Sequence, residues 1–237
     1  MTFGGNVCLG LRAILCASLM SVAVGCRAKP GLDAGFIQDP QVLQKNDKVP
    51  FDRYWANPSF DLRSYSKVYV APVDTQHLLK GSWWDRTSLS NSQKDEANVL
   101  GPRFQSAVKE SFGKYDDRKY EVVEAPQADA MIVELALVEL VPTKVWLNAI
   151  TEIVAGAFDQ GSTSFEGRIR DGKTGTVIAE FKDREFGQMS IISVADLEWW
   201  AHAKHTIDHW AEQLPEVTNR KPDEEVSNTS TVTLRPW

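Results

Sequence analysis

The chain predicts an α/β fold of the α+β kind. It is read as a single mixed β-sheet of about five strands with two to three helices packed on it, in the order β-α-β-β-(α)-β-β-α. Three observations predict this. Lys67-Val-Tyr-Val-Ala-Pro-Val73 is a β-branched and aromatic run stopped by Pro72 and Asp74. Residues 162–185 hold two alternating runs joined by Asp171-Gly-Lys-Thr-Gly175, the pattern of a β-hairpin. Two segments with a helical apolar stripe, 92–113 and 197–214, flank these strands and need a sheet to bury that stripe.

The elements follow in order. Lys67–Val73 is the first strand, followed by a polar loop over 74–91 that contains Trp83 and Trp84. In 92–113, Leu100, Phe104, Ala107, Val108 and Phe112 fall on one face, and Gly101-Pro102 predicts a kink or a restart. Tyr120 to Glu124 is a short strand. Ala130 to Val141 is apolar on both parities except at Glu134 and Glu139, which fits a central strand, with a helix as the alternative. Lys144 to Phe158 places Trp146, Ile150, Ile153 and Ala157 on a broad helical face. In the hairpin, Phe165, Gly167 and Ile169 point inward while Ser164, Glu166, Arg168 and Arg170 point outward. Asp196 is positioned to cap the final helix, which carries Trp199, Trp210 and Leu214 inward and ends at Pro215.

Length and composition bound the rest. With 237 residues, 43% hydrophobic and 24% charged, the chain is not disordered, collagenous or a coiled coil. A net charge of −6 argues against non-specific nucleic-acid binding. All three Cys lie in the first 26 residues.

Residues 1–25 read as an export leader. Arg12 is their only charge, an apolar run follows to Val24, and Ala23-Val24-Gly25 sets small residues before Cys26. Small residues before a Cys resemble a bacterial lipobox, which implies cleavage before Cys26 and acylation of its thiol. A plain secretory leader with an incidental Cys is the alternative. Acyl chains contribute about 0.8 kcal/mol per buried CH₂, so two or three anchor a protein firmly. By resemblance to Gram-negative sorting rules, Arg27 after the Cys points to the outer membrane. The expected organisation is a lipoprotein signal peptide over 1–25, a lipidated tether and extended arm over 26–62, the α/β domain over 63–214, and a disordered tail over 215–237. The arm carries eight apolar or aromatic anchors (Phe36, Ile37, Val42, Leu43, Phe51, Tyr54, Trp55 and Phe60), too many for a bare linker. The mature chain has no pair of Cys for a disulfide, so its core must stabilise it.

Four motifs are weighed against simpler readings. Gly167 to Thr174 matches the P-loop spelling G-x-x-x-x-G-K-T, but strands lie on both sides where a phosphate loop needs a following helix. A hairpin turn is expected and no nucleotide. Glu198, His202, His205 and His209 fall on one narrow stripe of the final helix, which suits zinc or copper chemically. A solvated polar face is the simpler reading. Trp83 and Trp84 are candidates for stacking on cell-wall sugars or docking on a partner. His77 is a loop residue with no evident partner. No nucleophile elbow, zincin motif or dinucleotide fingerprint is present.

Gly35-Phe36, Tyr54, Asn57-Pro58, Tyr65 to Val73, Ala128-Asp129-Ala130 and Asp171 to Arg184 resemble a family of bacterial lipoproteins of unknown function, over about residues 33–214. The element order is also comparable with that of lipoprotein domains resembling the amino-terminal domain of the Tol–Pal periplasmic protein. The resemblance implies a fold and an envelope location, and it brings no activity, cofactor or catalytic residue. The expectation is a non-enzymatic envelope lipoprotein, bound to the membrane through Cys26 and acting as an adaptor for another envelope protein. Docking is expected at a sheet edge or the 74–91 loop. The alternative is a module binding wall glycan or a metal.

Overall fold

The computed structural model describes residues 33–79, 95, 98–117, 120–141, 162–186 and 200–228. Its strands are β1 (Arg53–Ala56), β2 (Lys67–Val70), β3 (Glu121–Val122), β4 (Ala130–Val141), β5 (Ser162–Asp171) and β6 (Val177–Phe186). The helices are α1 (Gln76–Leu79), α2 (Leu100–Lys114) and α3 (Ala201–Asn219). One mixed sheet forms, in the order β1-β6-β5-β4-β2-β3. β2 runs parallel to β4 and β3, and the other pairs are antiparallel.

The sixth strand is β1, inside the segment read as an arm. Four residues are too few to show a period. Pairing creates this strand: Tyr54 sits opposite Phe181 of β6, and Gln44 exchanges two backbone hydrogen bonds with Tyr54 on its other side. The expected helix over 144–158, with Trp146, lies outside the described residues.

The run 130–141 is a strand. Glu134 stands opposite Arg168 and Glu139 opposite Ser164, both on the same sheet face. They are five residues apart, a spacing that a regular strand would split between its two faces. A bulge between Leu137 and Glu139 absorbs the extra residue. This bulge is why simple alternation fails in the sequence.

One sheet face carries the core. Val68, Val70, Val133, Leu135, Leu137, Phe165, Ile169 and Phe181 are buried there beneath α2 and α3. Phe165 is its centre, with ring centroids 4.4 Å from Trp210 and 5.6 Å from Phe104. In α2, Leu100, Phe104, Val108 and Phe112 are fully buried at i, i+4, i+8 and i+12. Gly101-Pro102 produces a restart rather than a kink. Val99 is a turn residue, and Pro102 falls in the first helical turn, where its missing N–H would have no intrahelical acceptor.

The final helix departs from expectation at both ends. Asp196 lies outside the described residues, and the helix begins after Trp200, with no side-chain cap. It does not end at Pro215 but runs through it to Asn219. A proline within a helix costs about 3 kcal/mol or more. Tertiary packing offsets that here. Val217 and Thr218 are buried, and Thr218 Oγ1 lies 3.3 Å from the Tyr120 hydroxyl. The segment beyond is also bound, since Val226 is buried and donates its N–H to the Lys48 carbonyl at 3.0 Å.

The G-x-x-x-x-G-K-T spelling is the β5–β6 turn, as the flanking strands required. Asp171 Oδ2 accepts from the Thr174 N–H at 2.8 Å and from its hydroxyl at 2.6 Å. The Thr174 hydroxyl leads the contacts that hold the Asp171 carboxyl below its ordinary range. A β-carbon at Gly172 would stand 2.0 Å from the Gln127 carbonyl oxygen and 2.5 Å from that of Ala130. Those are backbone atoms and cannot swing away. Gly172→Ala is therefore expected to lose about 1–3 kcal/mol of stability by overpacking. A thermal melt reads this, and an unchanged midpoint would contradict the close approach.

Candidate functional site

Three polar constellations stand out. The first is a clasp on the sheet face opposite the core, which we call the outer face. Glu166 points there and is only 2% exposed. Its Oε1 accepts from the Ala34 N–H at 2.9 Å, and its Oε2 accepts from Phe36 at 3.1 Å and Ile37 at 3.0 Å. Gly35, at φ 88°, makes the bend that turns these N–H groups onto one carboxylate, a conformation in which a β-carbon is unfavourable. Lys182, the cross-strand neighbour of Glu166, pairs with Asp33. The Arg168 guanidinium lies 4.7 Å from the Phe36 ring centroid.

His77 belongs to this clasp, although the sequence showed no partner for it. Its Nδ1 lies 3.1 Å from the Ala34 carbonyl, its Nε2 is 3.6 Å from Asp74, and its ring meets Phe36 edge-on. The rest of the outer face is a ladder of ion pairs. Glu134 accepts from Arg168 at 2.5 Å and pairs with Arg170, while Glu139 accepts from Arg184 at 2.7 Å. The outward parity of Ser164, Glu166, Arg168 and Arg170 is as expected, and the arm covers Glu166 on that face.

The second constellation lies between β6 and α3, on the core side. Asp183 accepts from the Trp210 indole N–H at 2.7 Å and from the Asp52 N–H at 3.1 Å. Burial, reinforced by the neighbouring Asp52 and Glu185 carboxylates, pushes its pKa up to about 8. Burial also raises Asp52, against the pull of Arg53, Lys182 and Arg184, and its buried Oδ2 has no hydrogen-bond partner. Two residues along, Glu185 lies 3.2 Å from His209 Nδ1. Gln213 Nε2 lies 3.1 Å from His209 Nε2, so the ring is held between Glu185 and Gln213.

The predicted histidine stripe divides here. His209 is buried in this network, and His202 is half-buried, with its Nε2 3.4 Å from Thr206 Oγ1 and its pKa lowered by burial. His205 alone is exposed. The expectation of a uniformly solvated stripe is therefore corrected: β6 packs across α3 along it. Glu198, Trp83 and Trp84 lie outside the described residues, as does Cys26. Among the described residues, no three His, Cys, Asp or Glu side chains converge to hold a metal ion.

The third feature is an open groove of about 650 Å³ between α2 and α3. Glu110, Asp117, Glu212 and Glu216 line it together with Lys114 and Arg103, Lys114 pairing with Glu110. Arg103 bridges the two helices through Asp208 at 2.5 Å. Burial, with Glu212 and Asp117 nearby, raises the Glu216 pKa.

Sequence reasoning passed over Asp183, Glu185 and the arm partners of Glu166. The alternation of Ala179 and Phe181, carried four residues further, puts Asp183 and Glu185 on the core face. Acids at core parity were the available signal. The arm's contact with Glu166 left no comparable trace.

The family described as a protein of unknown function, DUF3313, matches residues 33–214. The chain belongs to this family. No curated protein matches it. Several solved structures are similar at low identity. A PelC dodecamer from Paraburkholderia phytofirmans is 11% identical, over 71% of this chain and 97% of that one, with a TM-score of 0.40. A DUF330 protein from Xanthomonas campestris is 10% identical, over 74% and 88%, with a TM-score of 0.38. A minor lipoprotein from Acinetobacter baumannii is 11% identical, over 65% and 93%, with a TM-score of 0.28. No helix among the described residues of the DUF3313 chain is long and apolar enough to cross a membrane.

Proposed function

We propose that this DUF3313 protein is a non-enzymatic lipoprotein, anchored through acylated Cys26 in the outer membrane and working in the periplasm as an interaction or assembly adaptor. The clasp carries this reading. Seven residues after Cys26 the chain is already bound into the sheet, through Asp33 on Lys182 and three N–H groups on Glu166. Anchor and domain are thus coupled closely, as suits a scaffold held at a surface. The titratable groups between β6 and α3 support the same reading, since Asp183 and His209 are engaged with one another's neighbours inside the core. The expected likeness to the Tol–Pal domain fits the same setting and is part of this reading.

The surface offered to a partner is the α2–α3 groove. Of the docking places expected from the sequence, one sheet edge is occupied, because Gln44 caps β1. The other edge, β3, is two residues long. Residues 80–91 of the expected docking loop lie outside the described residues. The groove is acidic, so it suits a partner segment rich in Lys or Arg.

Two experiments test the proposal. Cys26→Ala is expected to abolish acylation and release the protein from membranes; a variant that stays acylated and membrane-bound would refute the anchor. A photo-crosslinker at Glu212, in the lipidated protein in cells, is expected to capture one stoichiometric envelope protein. Wall fragments recovered instead would favour the glycan reading through Trp83 and Trp84.

A further inference from the structure

The clasp decides which way the domain faces. Seven Cα-to-Cα steps separate Cys26 from Asp33, about 24 Å when fully extended at about 3.4 Å each. The chain leaves the domain at Lys182 and Glu166, directly opposite one another on β6 and β5, in the interior of the outer sheet face. From there a bilayer beside the outer face is within easy reach. A bilayer beneath the helix layer is not. The chain would first cross β6 and β1, about 10 Å at 4.8 Å per strand. It would then pass a helix packed on the sheet, roughly another 15 Å from sheet plane to far surface. That route consumes the whole tether and leaves no slack.

Charge acts in the same direction. On the outer face Glu134 pairs with Arg168 and Arg170, Glu139 with Arg184, and Asp33 with Lys182, while Glu166 accepts three backbone N–H groups. The α2–α3 groove instead has an excess of acids, and an anionic bilayer repels it.

We propose that the Glu166 clasp turns the outer face of the sheet toward the lipid surface and so points the α2–α3 groove away from it. This rests on the lipoprotein reading above. Glu166 is then a positioning residue. Releasing it removes three N–H contacts and leaves the arm held only by Asp33 on Lys182 and by the His77 and Arg168 contacts, so that the domain can roll more freely. Glu166→Gln does this gently, because an amide keeps one acceptor oxygen and replaces the other with a donor facing N–H groups.

The test uses the full chain, processed in cells, purified and reconstituted into phosphatidylethanolamine–phosphatidylglycerol vesicles. Once the leader is removed and Cys26 acylated, no other Cys remains, so one introduced thiol carries a fluorophore. Tyr69→Cys labels the outer face, since Tyr69 stands opposite Ile132 there; Glu212→Cys labels the groove. Nitroxide on lipid headgroups serves as the quencher. The Tyr69 site is expected to be quenched several-fold more than the Glu212 site, with the difference collapsing in Glu166→Gln. Equal or reversed quenching in protein that floats with the vesicles overturns the orientation and leaves the lipoprotein reading intact. A difference that survives Glu166→Gln overturns Glu166 as the residue that sets the orientation. Protein that is neither acylated nor floating overturns both readings. The two labels in the parent background test the orientation even if Glu166→Gln does not fold.

Discussion

Trp210→Ala is expected to lose about 3–5 kcal/mol of unfolding free energy, the range for emptying a buried aromatic site. Trp210 is fully buried, 4.4 Å from Phe165 and 6.1 Å from Phe104 between ring centroids. Truncation opens a cavity where α2, α3 and the sheet meet, and close-packed surroundings collapse only partly into such a space. It also removes the N–H that Asp183 accepts at 2.7 Å, inside the core. Trp210→Phe separates these two effects in part, because it keeps an aromatic ring in the site while removing the donor and the remainder of the indole. Urea unfolding of both variants is the measurement. The alanine variant should fall well below the phenylalanine one, and both below the parent. A loss under about 1 kcal/mol for the alanine variant would mean that Trp210 does not hold α2, α3 and the sheet together.

The second large effect is on pH. Asp183 in the folded protein has a pKa of about 8, above an ordinary value of 3.8. Between those limits the folded state holds a proton that the unfolded chain has released. Stability is therefore fully present below about pH 4 and declines as pH rises toward 8, by as much as about 1.4 kcal/mol per pH unit, and then levels off. Asp52, raised by burial, contributes with the same sign. His202, lowered by burial, contributes with the opposite sign below its ordinary 6.5. Asp183→Asn isolates the Asp183 contribution because an amide does not titrate. The variant should be less stable than the parent near pH 5, where its NH₂ or the Trp210 N–H lacks an acceptor. It should close that gap by pH 8. Parallel stability profiles across this range would show that Asp183 is ionised in the fold at neutral pH.

Much of this architecture was legible in the residues. Lys67–Val70, the hairpin and the apolar stripe of α2 are local patterns, and burial of one face per element is what such patterns encode. Residues 130–141 were less legible because a bulge breaks their alternation, and a bulge depends on the partner strand. β1 was illegible: Arg53-Tyr-Trp-Ala is a strand only because Phe181 and Gln44 lie on either side. Pro215 marks a helix end by local rules, yet α3 continues because Val217 and Thr218 have somewhere to pack. At the candidate sites, the histidines of α3 were correctly placed on one side of a helix. Which of them water reaches depended on β6, and only His205 is left exposed.

The sequence by itself determined the order of the principal strands and helices, the hairpin turn in place of a phosphate loop, and the family. These depend on short-range spacing, which a chain carries with it. The tertiary structure alone decided that Glu166 gathers the arm, that burial raises the pKa of Asp183, and that an acidic groove opens between α2 and α3. Each joins residues far apart in the chain, such as Ala34 with Glu166 or Asp183 with Trp210. Their chemistry arises from burial and proximity, quantities that exist only once the chain has folded.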